Sequence, residues 1–235
     1  MSNKRKSILN KCFNFVQSRL PQACFLCGGR VVGKLLCPGC EDDLPRLTDA
    51  CCPLCALPSL NSEVCGACLK HAPTFDRTLA VYTYAFPLDA LVQQCKYAGA
   101  TSLTAFFAEQ MAHRVAPETR IDYLLPMPLH PARLAHRGFN QAAEIARRLS
   151  PQVGIPWRID ACQRLRDTPS QAGLDLKTRQ HNLRGAFACN LDLSGKRVAL
   201  IDDVMTSGSS LDELARVVRK AGAIEIQAWV LARTL

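Results

Sequence analysis

Val198-Ala-Leu-Ile-Asp202-Asp203-Val-Met-Thr206-Ser207-Gly208-Ser209-Ser210 sets an apolar run directly before two adjacent carboxylates and a loop of hydroxyls around one glycine. Carboxylates accept hydrogen bonds from vicinal ribose hydroxyls and can hold a hydrated Mg2+ beside a pyrophosphate. Thr206, Ser207, Ser209 and Ser210 supply hydroxyl donors, and Gly208 lets backbone N–H groups come close to an anion. A helix follows, with Leu211, Leu214, Ala215, Val218 and Ala221 at helical spacing, and its positive end points at the same spot. A 5′-phosphate fits there. The four apolar residues 198–201 predict a strand buried on both faces of a parallel sheet, and open α/β folds bind ligands at the carboxyl ends of such strands.

A second chemistry lies in the cysteines, thirteen in 235 residues. Eight of them form C-x2-C-x9-C-x2-C twice, as Cys24, Cys27, Cys37, Cys40 and again as Cys52, Cys55, Cys65, Cys68. Two residues between cysteines let both sulfurs of a tight turn reach one tetrahedral ion, and Gly and Pro beside them supply the turns. Two structural Zn2+ sites of four thiolates each are expected. Disulfides would need an oxidising compartment, and no signal peptide precedes the pattern. Cys51 is a competing ligand beside Cys52. The spacing does not decide whether ligands come from one repeat or interleave between the two. Cys12, Cys95, Cys162 and Cys189 read as ordinary buried thiols.

These chemistries need a frame. A gap-free apolar stretch long enough to cross a bilayer is missing from the sequence. Lys4-Arg5-Lys6 precedes Ile8, Leu9, Cys12, Phe13, Val16 and Leu20, which predicts a short amphipathic helix over residues 1–20, packed on the protein or resting peripherally on a membrane. Residues 21–71 read as the zinc-binding unit and 72–235 as an α/β domain. In the latter, strands are expected at 79–86, 121–125 and 224–231, with helices at 88–97, 102–115 and 142–149. Gly222 is expected to end the helix after the hydroxyl loop. Asn140 is a plausible cap for the helix at 142–149.

The strand at 121–125 runs into Pro126-Met-Pro128-Leu129-His130, a rigid turn at a strand's carboxyl end, followed by Arg133, His136 and Arg137. Those cations suit a diphosphate. Residues 164–185 form a long polar stretch expected to act as a lid. Net charge is +9, and residues 130–185 hold ten Lys and Arg against four Asp and Glu, so the surplus is concentrated around these loops. That suits a polyanionic small molecule or nucleic acid, although aromatics at 6% leave few platforms on which bases could stack.

Residues 198–210 resemble the phosphoribosyl pyrophosphate (PRPP) motif of type I phosphoribosyltransferases. The resemblance implies that Asp202 and Asp203 meet the ribose, that Thr206, Ser207, Gly208, Ser209 and Ser210 hold the 5′-phosphate, and that Pro128, Leu129 and His130, with Arg137, face the pyrophosphate, which Mg2+ accompanies. Paired-cysteine repeats, then Pro-Met-Pro-Leu-His-Pro-x-Arg-x-x-x-Arg-Gly-Phe-Asn-Gln, Arg-Asp-Thr-Pro-Ser-Gln-Ala-Gly-Leu and Asn-Leu-Arg-Gly-Ala-Phe in that order extend the likeness. Over residues 24–235 the chain resembles the ComF/GntX family of bacterial competence-associated proteins. This implies a double zinc ribbon before a type I phosphoribosyltransferase fold, a mostly parallel sheet with flanking helices, in the cytoplasm. It also implies a link to DNA uptake in natural transformation, with single-stranded DNA and other competence proteins as partners. Two functions compete at this point: transfer of the phosphoribosyl group to an acceptor the sequence does not identify, and DNA handling in which the PRPP site is regulatory. The acid pair is expected to matter more for ligand than for folding, because two neighbouring carboxylates repel.

Overall fold

A computed structural model describes residues 21–97, 101–115, 120–167 and 183–235. The amphipathic segment 1–20 and most of the lid, residues 168–182, lie outside the described residues.

Four parallel strands make the central sheet in the order β3 (Arg77–Thr83), β8 (Glu225–Arg233), β7 (Arg197–Met205), β4 (Tyr123–Pro126). Strand alternation sorts the side chains of β7 and β8 between two faces. Ala199, Ile201, Trp229 and Leu231 enter one core, with helices α4 (Leu103–Arg114) and α6 (Gln141–Val153) over it. Val198, Leu200, Ala228 and Val230 enter the other, covered by α7 (Ser209–Lys220). Burial on both faces is why residues 198–201 carry no polar alternation.

The strand at 198–201 runs further than its apolar residues suggest. β7 pairs with β8 as far as Met205 opposite Arg233, so Asp202 and Asp203 sit inside the strand, and Asp203 is only 9% exposed. The sequence alone suggests an exposed strand end for both acids, and the structure corrects this. The ladder with β8 extends the strand because Val204 and Met205 pair there as well as the apolar run does. The turn that follows α7 depends on glycine: Gly222 has φ +100°, and a Cβ there would lie 2.7 Å from the Ser194 Cα.

The cysteine-rich segment is built as two similar halves. The first has β1 (Pro21–Ala23), β2 (Arg30–Val32) and the short helix α1 (Pro38–Asp42), and the second has α2 (Gly66–Lys70) in the matching place. Each half docks on a different face of the sheet. Cys24, Val31, Leu36 and Leu44 join the core under α4 and α6, while Cys52, Cys55, Cys68 and Phe75 join the one under α7. Between them, residues 45–47 run along the outer edge of β3: Arg46 bridges Tyr82, the Leu47 N–H donates to the Val81 carbonyl at 3.0 Å, and the Thr83 N–H donates to the Pro45 carbonyl at 2.8 Å. The opposite sheet edge is covered by residues 156–158, whose Trp157 bridges Leu124 of β4. Neither edge of the parallel sheet is left open for pairing with another chain.

Helix α3 (Leu88–Tyr97), the short helix α5 (Pro131–Arg137) and the antiparallel hairpin of β5 (Cys162–Arg164) with β6 (Phe187–Cys189) lie outside the parallel sheet. No described helix is long and apolar enough to cross a membrane.

Candidate metal centres and anion cradle

The two four-cysteine sets each draw their ligands from one repeat. The Sγ atoms of Cys24, Cys27, Cys37 and Cys40 lie within 4.8 Å of one another, and so do those of Cys52, Cys55, Cys65 and Cys68. Four sulfurs at about 2.3 Å from a tetrahedral Zn2+ stand about 3.8 Å apart. The Cys27 and Cys37 sulfurs are 3.7 Å apart and those of Cys55 and Cys65 3.6 Å, so both cages fit the ion. The same N–H···S bond recurs in each, from Cys37 N–H to Cys24 Sγ and from Cys65 N–H to Cys52 Sγ, both at 3.4 Å. Such bonds favour the thiolate that metal binding requires. Cys51, the competing candidate, is in neither cage and bridges Pro58 in the second half. These are two zinc-binding sites of a double ribbon, and with four thiolates each they are structural.

At the carboxyl end of the sheet lies a cavity of about 200 Å3 lined by Asp202, Val204, Met205, Thr206, Ser207, Gly208, Ser209, Ser210 and Leu211, with Arg133 and Arg164. Local sequence explains its shape. Gly208 takes a left-handed φ of +80° as the residue before α7, so the chain turns sharply out of β7. Gly208 has no side chain to cap that helix and, among the described residues, only Ser207 Oγ accepts from its first N–H, at 3.4 Å, so its positive dipole end lies at the cavity wall made by residues 209–211. The hydroxyls of Ser207 and Ser209 are 2.9 Å apart. Buried Arg233, at the end of β8, donates to the carbonyls of Met205 (3.0 Å) and Thr206 and, through Nε, to that of Cys55 (2.8 Å). With the loop carbonyls turned to Arg233, the hydroxyls and amides are left for an anion.

The acids have different settings. Asp203 pairs with Lys96 at 2.6 Å, a lysine from the last turn of α3. Burial opposes the Lys96 charge, but the adjoining Asp203 outweighs it and holds the ammonium above its ordinary pKa. Asp202 lines the cavity and has no such partner of its own among the described residues; burial of its carboxyl, and next the charge of Asp203, push its pKa up to about 7. Its Oδ1 accepts the Asp203 N–H at 2.9 Å, while the Asp203 Oδ1 accepts the Val204 N–H at 2.8 Å.

Pro128, Leu129 and His130 stand at the end of β4, next to β7 in the sheet, and are not among the cavity's lining residues. His130 is the cap of α5, its Nδ1 accepting the Ala132 N–H at 3.3 Å. Asn140 caps α6 as its sequence position suggests and also donates to the Met127 carbonyl at 2.9 Å, tying the proline turn to the next helix. Arg137 bonds Gln141 at 2.8 Å, and the cation that α5 brings to the cavity is Arg133, also paired with Asp167 at 3.0 Å.

Sequence reasoning missed Lys96, read only as a helix residue. Its one signal was a cation at the end of an amphipathic helix leading towards the sheet's carboxyl edge. Arg164 was counted among the charges of the lid; in the structure it belongs to a strand, and its guanidinium lies 5.4 Å from the Phe187 ring centre.

Comparison with known proteins finds two family domains and a set of relatives. Residues 15–69 match the double zinc ribbon domain and residues 134–234 the phosphoribosyl transferase domain. The chain is 32% identical over 227 residues to a "DNA utilization protein" of Escherichia coli K12, covering 92% of this chain and 99% of that one. It is also 32% identical over 227 residues to "Competence protein F" of Haemophilus influenzae, covering 89% and 96%. Among solved structures it is similar, at a TM-score of 0.40 and 20% identity, to the glutamine PRPP amidotransferase of B. subtilis, covering 55% of this chain and 26% of that one.

Proposed function

The chain belongs to the ComF/GntX family of competence-associated proteins, a double zinc ribbon with a type I phosphoribosyltransferase fold, and from that premise we propose that its cavity binds PRPP in the service of DNA utilisation. The observation that carries the reading is the cavity at the carboxyl end of β7: a carboxylate, four hydroxyl residues around a left-handed glycine, a helix amino end and two arginines line one space. That set is complementary to a ribose with a phosphate on one side and a pyrophosphate on the other.

In this reading residues 206–210 hold the 5′-phosphate by hydroxyl and amide donors, and Asp202 and Asp203 accept hydrogen bonds from the ribose hydroxyls. Arg133 and Arg164 face the pyrophosphate, with residues 128–130 and Arg137 framing that side. Two carboxylates set against one lysine leave room for another cation, so Asp202 and Asp203 would hold Mg2+, which supplies charge to the departing pyrophosphate. Lys96, in its ion pair with Asp203, holds that carboxylate in place. The reaction such a site performs is displacement at ribose C1: the bond to the pyrophosphate oxygen breaks, a bond to the acceptor forms, and pyrophosphate leaves. The names of the relatives favour a second element, a DNA role in which the ribbons and basic surface contact single strands. An assay of pyrophosphate release from PRPP and Mg2+ against nucleobases, amines and single-stranded DNA tests turnover. Release dependent on one acceptor class supports a transferase. PRPP binding without release on any acceptor supports a regulatory site.

A further inference from the structure

Cys162 and Cys189 face each other across the β5–β6 hairpin, where the sequence had suggested two unrelated thiols. The neighbouring hydrogen bonds define what kind of pair this is. The Asn190 N–H donates to the Ala161 carbonyl and the Leu165 N–H to the Ala186 carbonyl, each at 2.8 Å. Hydrogen-bonded and non-hydrogen-bonded pairs alternate along an antiparallel ladder, so 161/190 and 165/186 are bonded positions and 162/189 is not. At such positions the Cα atoms are about 4.5 Å apart and the side chains leave the same face close together. That spacing lies within the roughly 4.4–6.8 Å that a disulfide spans.

The two sulfurs differ in access. Cys162 is buried and Cys189 partly exposed. Hydrogen bonding from Cys162 lowers the Cys189 thiol to about 6, while the same contact, with burial, pushes Cys162 up. Exposure makes Cys189 the sulfur that a reagent reaches first, and its contact with Cys162 favours the thiolate there over the buried partner.

We propose that Cys162 and Cys189 form a reversible thiol-oxidation site that low-molecular-weight disulfides of the glutathione type convert into an intramolecular disulfide. The Cys189 thiolate attacks one sulfur of the reagent, forming a mixed disulfide and releasing one thiolate. That thiolate takes up the Cys162 proton, and the Cys162 sulfur then displaces the second thiolate, which is protonated from solvent. Two protein thiols are oxidised and one external disulfide is reduced to two thiols. The bond braces the strand whose Arg164, two residues on from Cys162 and on the same face, lines the anion cradle.

The test uses full-length, zinc-loaded protein equilibrated in glutathione buffers from reducing to oxidising, quenched in acid, alkylated and mapped by peptide mass spectrometry. A Cys162–Cys189 disulfide two hydrogens lighter than the dithiol is expected, reversed by dithiothreitol and formed before a chromophoric chelator detects released zinc. Cys162→Ser is expected to stop at a glutathione adduct on Cys189, and Cys189→Ser to form neither species. Both thiols remaining alkylatable under excess glutathione disulfide, or oxidation of the four-cysteine cages while this pair stays reduced, would overturn the proposal. Because the readout is a covalent bond, it stands or falls independently of PRPP binding.

Discussion

Asp202 and Asp203 are neighbours with opposite needs. Repulsion alone suggested that neutralising both would leave the fold unharmed, but Lys96 changes that expectation for one of them. Asp203→Asn leaves a mostly buried ammonium without its counterion and is expected to cost about 1–3 kcal/mol. Asp202→Asn relieves repulsion and burial and should be neutral or stabilising at pH 8. Thermal melts of the two single variants decide this, and equal destabilisation by both would contradict it. A pH dependence follows from the same acid. Its folded pKa is raised to about 7, above the roughly 3.9 of an unfolded aspartate, so the fold binds the proton more tightly than the unfolded chain. Its contribution is fully present below the unfolded value and is lost as pH rises through about 7. Between pH 5 and pH 8 the Asp202→Asn protein should lose less stability than the parent, as measured by urea unfolding at both values; parallel losses would contradict the assignment.

At the scale of elements, the second zinc half is held where it can act on the phosphate loop. Thr78 binds its Pro53 carbonyl through N–H (2.9 Å) and its Leu54 carbonyl through Oγ1 (2.6 Å), while Arg233 joins the Cys55 carbonyl to those of Met205 and Thr206. Lysine cannot reproduce that fork of donors. Arg233→Lys is expected to weaken PRPP binding about tenfold while both zinc ions remain, read by calorimetry beside elemental analysis. Unchanged affinity would mean the loop holds its shape without Arg233. Most of these elements were legible in the chain. Residues 88–97 follow a helical pattern and form α3, the duplicated cysteine spacing marks the eight ligands though not their grouping into cages, and residues 196–231 read as the strand, helix and strand around the hydroxyl loop. Less legible were features that depend on pairing between distant residues. Strands of three residues such as β5 and β6 carry no period, and a lysine such as Lys96 declares its partner only once α3 is laid over β7. The extension of β7 through the acids is likewise a property of its ladder with β8.

Across the whole molecule, the zinc ribbons are part of the sheet's architecture. Residues 45–47 close the edge of β3, so removing residues 1–70 would strip an edge from the sheet and confound any loss of DNA binding. Point changes are the better probe. Arg30 and Lys34 are exposed on the first half, and Arg30→Glu with Lys34→Glu is expected to lower single-stranded DNA affinity and flatten its salt dependence, with melting temperature held. A fluorescence titration with unchanged affinity and slope would count against the ribbon as a DNA contact. The most direct test of the central claim is calorimetric titration of the zinc-loaded chain with PRPP and Mg2+, run beside Ser209→Asp, which sets a carboxylate among the donors of the cradle. One saturable site in the parent and a loss of about a hundredfold or more in the variant is the predicted result. No heat of binding in a folded, zinc-loaded parent, or equal affinity in the two proteins, would contradict it.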